Sequence, residues 1–149
     1  LAVNEIVPLT SSIAFQGVTE TQAFAGQAEY EIFPDTGDGV FDKPIILVDG
    51  FDPNDSRSIP MIYEMLNYGS GQNLADDLRA QGFDVVLLNF PNYTRPADGA
   101  LISGGSDYIQ RNAMTLVELL SVVNAAKVGE AQNVVIGPSM GGLIARYAL

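Results

Sequence analysis

The sequence predicts an α/β protein with a mostly parallel sheet and helices on both of its faces. Three observations carry that expectation. Apolar runs at Pro44–Val48 (PIILV), Phe83–Phe90 (FDVVLLNF) and Val134–Ile136 (VVI) suit strands buried on both sides. Helical patterns with capping signals lie between them, so the order from Pro44 onward is strand, helix, strand, helix, strand, helix. Finally, Gly137-Pro138-Ser139-Met140-Gly141 stands between the last apolar run and the almost wholly apolar stretch Gly142–Leu149.

The elements follow in order. Residues 1–43 are an N-terminal segment with a loose assignment: extended or irregular up to Gly26, then Ala28–Phe33 (AEYEIF) alternating as a strand near a sheet edge. Pro34–Lys43 is a turn cluster. Its Asp35, Asp38 and Asp42 raise the question of calcium, but their spacing does not match a calcium loop and Asp-Gly is ordinary turn chemistry. No metal site is expected. Pro44–Val48 is a strand, and Asp49-Gly50-Phe51-Asp52-Pro53 follows it directly. Ser58-Ile59-Pro60 opens a short helix running to about Asn67. Asn73 caps the next helix, Asp76 and Asp77 occupy its first turn, and Gly82 closes it. Phe83–Phe90 is a strand, and Asn92–Gly105 is a loop without periodicity. Asp107 with Gln110 has the form of a capping box for a long helix. Ile109, Ala113, Leu116, Val117, Leu120 and Val123 share one face of that helix and belong to the core.

The final stretch carries the chemistry. G-x-S-x-G between a buried strand and a buried helix is the context of a nucleophile elbow. In such a turn Ser139 would be the nucleophile, in a strained backbone conformation at a helix N-terminus, and the Met140 N–H would point at a developing oxyanion. Gly137 and Gly141 omit the side chains that would collide there, and Pro138 favours extended geometry at Gly137. The loop after Pro44–Val48 would supply the second oxyanion donor, the Phe51 N–H. The plain alternative is an Asp-Gly turn closed by side-chain bonds from Asp52 and Asn54.

Composition narrows the function. Seven Lys and Arg against 18 Asp and Glu give a net charge of −11, which argues against nucleic acid or an anionic membrane surface as partner. No run approaches the roughly 20 apolar residues of a membrane span. With no cysteine there is no disulfide, iron–sulfur cluster or thiolate metal site, and no cofactor is expected. The chain starts at Leu1 without a basic, then apolar, leader: either a leader has been removed or the sequence begins inside a longer protein. There is no histidine at all. An elbow serine needs one, after an Asp or Glu further along the chain, and Leu149 follows Ser139 too closely to provide either. Lys43 and Lys127, the two lysines, fall at the wrong ends of their elements to replace it.

PIILVDGFDP, NLADDLRAQGFDVVLLNF, GGSDYIQRNA and VVIGPSMGGLIARYAL together resemble the α/β-hydrolase fold. Within it they are similar to lipase/esterase-like proteins that some bacteria secrete. The resemblance covers 44–149, which it implies to be the N-terminal half of a hydrolase domain. It implies a secreted or cell-surface serine hydrolase acting on a small-molecule or lipid ester, with Ser139 as nucleophile and the N–H groups of Phe51 and Met140 as oxyanion hole. The acid and histidine would come from the rest of the polypeptide or from a complementing chain, and this stretch alone would be inactive. Two departures stand out: Asp49-Gly50 where many lipases have His-Gly, and the missing second half. The rival readings are a non-catalytic hydrolase-like scaffold or exported interaction module, and another serine-elbow activity such as peptidase, acyltransferase or thioesterase.

Overall fold

The computed structural model describes residues 1–149. Its centre is a five-stranded sheet in the order β1-β2-β6-β3-β9. The strands are β1 (Val7–Phe15), β2 (Phe24–Phe33), β3 (Pro44–Val48), β6 (Asp84–Asn89) and β9 (Val134–Ile136); two small hairpins supply β4 (Asn67–Tyr68) with β5 (Gln72–Asn73), and β7 (Tyr93–Thr94) with β8 (Leu101–Ile102). β6, β3 and β9 run parallel, while β1 and β2 join antiparallel beside β6. Four helices complete the chain: α1 (Ile59–Glu64), α2 (Leu74–Ala80), α3 (Ile109–Ala126) and α4 (Met140–Ala148).

Side-chain alternation along the central strands divides the core into two layers, because successive residues of a strand face opposite sides. Ile46, Val48, Val86 and Leu88 face α3 and α4, where Ala113, Leu116, Leu119, Val123 and Ile144 meet them. Leu47, Val85 and Leu87 face α1 and α2 and pack on Ile59, Ile62 and Ala75. Both faces of β3 and β6 are thus covered, as their unbroken apolar runs require. By contrast β9 and α4, expected to be buried, leave Val134, Ile136, Leu143 and Tyr147 exposed, because β9 pairs on one side only.

Several elements differ from the sequence expectation. The N-terminal segment forms the long antiparallel pair β1–β2, and Leu9, Ala28, Tyr30 and Ile32 enter the main core. β2 begins at Phe24, ahead of Ala28. α1 stops at Glu64 rather than near Asn67, where the β4–β5 hairpin takes over. The stretch 92–105 contains the hairpin β7–β8. No capping box forms at α3: its N-cap is Tyr108 with no side-chain bond, because the Asp107 carboxylate accepts from Arg111 Nη1 at 2.6 Å and from the Tyr93 hydroxyl at 3.2 Å. On α3 the fully buried stripe runs through Ala113, Leu116, Leu119 and Val123, while Leu120 and Ile109 pack from its border.

The aspartate cluster at 35–42 is a set of turns. Asp35 Oδ1 accepts from the N–H groups of Gly37, Asp38 and Gly39, which, with burial working against them, hold its carboxyl below the usual range. The buried Asp84 closes the loop from inside, accepting from the N–H groups of Asp35, Asp42 and Lys43 at 3.0–3.2 Å. No group of three potential metal-ligating side chains gathers anywhere. No helix is long and apolar enough to cross a membrane.

Candidate active site

Topology alone brings two loops together. β3 and β9 are adjacent and parallel, with Ile45 beside Val134 and Leu47 beside Ile136. The segments leaving their C-terminal ends, 49–53 and 137–139, therefore emerge side by side at one edge of the sheet, where ligands of open α/β sheets bind. Lys43 and Lys127 lie at the opposite end, Lys43 just before β3 and Lys127 just after α3, where its ammonium holds the Ala131 carbonyl ahead of β9.

Ser139 sits between β9 and α4 with φ 54° and ψ −131°. A positive φ is uncommon for a residue with a β-carbon and costs about 1–3 kcal/mol, so surrounding packing must impose it. α4 imposes it here. Ile144 is fully buried in the main core and draws the helix onto the sheet. Gly141 allows that approach, since a β-carbon there would overlap the carbonyl oxygen of Val48. A β-carbon on Gly137 would overlap the Gly141 carbonyl in the same way, and one on Gly142 would lie 2.8 Å from the Gly137 oxygen. The first turn closes with Gly141 N–H on the Pro138 carbonyl (2.9 Å) and Gly142 N–H on the Ser139 carbonyl (3.1 Å). The Ser139 hydroxyl makes no capping bond. Met140, the first residue of α4, has its N–H ahead of the first intrahelical bond, so the helix itself does not use it.

Gly50 passes directly over this turn. A β-carbon on it would lie 3.0 Å from Ser139 Cβ and 3.4 Å from Ser139 Oγ. Together Asp49, Gly50, Phe51, Arg57, Met65, Pro138 and Ser139 line a cavity of about 180 Å³. The Phe51 side chain is exposed, and its N–H takes no part in the hydrogen bonds that hold the loop.

Those hydrogen bonds centre on Arg57, which the sequence did not single out, and on Asp52, which it marked for the plain turn. Asp49 is buried and accepts from Arg57 Nε at 3.1 and 3.2 Å. Burial pushes its carboxyl up, against the opposing pull of the Gly50 N–H and the Arg57 charge. The other arm of the guanidinium, Nη2, donates to the Phe51 carbonyl at 2.9 Å. Asp52 accepts from the Ser56 N–H and hydroxyl and from the Arg57 N–H. Burial raises its pKa, but these donors outweigh it and hold the carboxyl below the usual range. Asn54 contributes no such bond. The Asp52 N–H donates to the Gly105 carbonyl (3.0 Å), and Ser103 Oγ to Pro53 O (3.0 Å), so the 92–105 hairpin buttresses the loop from outside.

No family model matches the chain, and no curated protein matches it by sequence. Solved structures do match by shape. A lidless α/β serine hydrolase from Xanthomonas campestris aligns at TM-score 0.55 and 18% identity, covering 99% of this chain and 57% of its own. The peroxisomal α/β-hydrolase Lpx1 of Saccharomyces cerevisiae aligns at 0.55 and 17%, covering 97% and 39%. An α/β serine hydrolase homologue from Coxiella burnetii aligns at 0.51 and 20%, covering 97% and 56%. The 149 residues thus span little more than half, or less, of the length of each of these structures. With parallel β6-β3-β9 between two helical layers, the chain has the α/β-hydrolase fold in the part corresponding to its N-terminal half.

Proposed function

We propose that this chain carries the nucleophile and oxyanion hole of a serine hydrolase that cleaves carboxylic esters through an acyl-serine intermediate. The observation behind this reading is Ser139, held at φ 54° between strand and helix with Gly50 of the neighbouring loop against its side chain. Ser139 Oγ attacks the ester carbonyl carbon, and its proton passes to a histidine. The tetrahedral oxyanion is met by the N–H groups of Phe51 and Met140. Collapse expels the alcohol, which takes the proton back, and water then hydrolyses the acyl-serine. With no histidine in these 149 residues, the base and its acid partner belong to further polypeptide of the same protein or to a complementing chain. The 149 residues alone are then inactive.

The choice of ester rests on the resemblance to secreted lipase/esterase-like proteins, as does a secreted or cell-surface location. The exposed Phe51 and Met65 beside the Ser139 cavity favour an apolar acyl group. Phe51 provides the test. In the natural full-length product, Phe51→Pro removes the N–H and lowers kcat on an activated ester by ~10²-fold or more. Phe51→Ala keeps the donor and costs far less. Equal, small losses for both variants would move the oxyanion donor away from Phe51. A folded full-length protein that cleaves no ester, amide or thioester would favour the scaffold reading instead.

A further inference from the structure

We infer that Arg57 is the positioning residue of the oxyanion loop, with Asp49 as its anchor. The inference rests on the reading of Ser139 as nucleophile and concerns what aims the Phe51 N–H at the reacting carbonyl. The loop cannot aim it unaided. Gly50 gives the backbone wide conformational freedom, and Phe51 as a whole is too exposed, at 56%, for packing to fix it. The one hydrogen bond to the Phe51 carbonyl is that from Arg57 Nη2, at 2.9 Å. Because the peptide planes on either side of Phe51 share its Cα, fixing this carbonyl while Asp49 is fixed by its own bonds leaves the Phe51 N–H little freedom.

Arg57 is itself held from three directions. Its Nε lies on the Asp49 carboxylate, its N–H on Asp52 Oδ2 at 2.9 Å, and its carbonyl accepts from Asn89 Nδ2 at 3.1 Å. Asp49 in turn continues the sheet, its N–H donating to the Leu88 carbonyl at 3.0 Å. The guanidinium is therefore a rigid strut from the end of β3 to the loop apex. Its planar fork satisfies a carboxylate and a carbonyl together, which the single ammonium of lysine does not reproduce.

The test compares wild type, Arg57→Gln and Arg57→Lys in the natural full-length protein, by steady-state hydrolysis of a p-nitrophenyl ester and by amide hydrogen exchange. Misaiming one donor lowers kcat by about 10²-fold with KM nearly unchanged, since geometry and not binding is lost. Lysine does not restore it. Exchange quickens at the Asp52 N–H, which the loop holds on the Gly105 carbonyl, while the central strands keep their protection. An unchanged kcat, a loss confined to KM, or faster exchange throughout the sheet would overturn the inference. If wild type neither turns over the ester nor reacts at Ser139, the nucleophile reading fails. Exchange then decides the strut separately: local acceleration in Arg57→Gln upholds it, and no acceleration refutes it.

Discussion

Ser139 and Gly50 lie against one another in the site, and their contact was only half legible. The serine could be read because its signal is local: glycines two residues away on each side, an apolar strand before and an apolar helix after. Arg57 could not. Its partners Asp49 and Phe51 lie eight and six residues away across a loop with no period, and only the folded backbone turns the guanidinium towards them. Gly50 offers a sharp probe of the contact. Its φ is not in the left-handed region, so alanine brings no backbone strain there. The new methyl would instead sit 3.0 Å from Ser139 Cβ and 3.2 Å from the Pro138 carbonyl. Gly50→Ala is expected to slow ester turnover by about tenfold or more through displacement of the serine, with little change in thermal midpoint. A large drop in midpoint at unchanged turnover would show that the crowding is relieved away from Ser139.

Among the elements, the central strands were legible because burial on both faces leaves an unbroken apolar run, and β3 and β6 occupy those runs with nearly the expected bounds. β1 was hidden for the opposite reason. Its sequence VPLTSSIAF exposes most of its residues, and the pairing register shifts between Thr10 and Ala14, so no clean alternation survives. What fastens this β1–β2 pair to α3 was also unreadable. The Arg111 guanidinium is fully buried, pairs with Glu20 and Asp107, donates to the Phe15 carbonyl at 2.9 Å and lies 3.5 Å from the centre of the Phe24 ring. The capping-box reading of Asp107 failed on the same account, since its carboxylate turns to Arg111. Arg111→Met is expected to destabilise the fold by about 3–5 kcal/mol, because it strands two carboxylates around an emptied charge site. Denaturant unfolding measures this. A loss below about 1 kcal/mol would mean that methionine packing compensates for the lost pairs.

At the scale of the molecule, the sheet ends on its most chemically loaded strand. β9 pairs on one side only, with Val134 47% and Ile136 38% exposed. Leu143, Tyr147 and Leu149 of the following helical stretch are exposed as well. Such an apolar edge invites further strands, which agrees with a proposal that puts the acid and histidine outside these 149 residues. The two halves of the proposed site were legible to different degrees: the proposed nucleophile and oxyanion donors stand at two strand ends, while these 149 residues contain no histidine to serve as the base. The central claim is that Ser139 becomes a nucleophile once that base is supplied. Reaction of the natural full-length product with a fluorophosphonate, followed by intact mass and peptide mapping, tests it most directly. The account predicts one phosphonyl group per chain, located on Ser139 and abolished in Ser139→Ala. A folded full-length protein that stays unlabelled at Ser139, or is labelled at another serine, would contradict it.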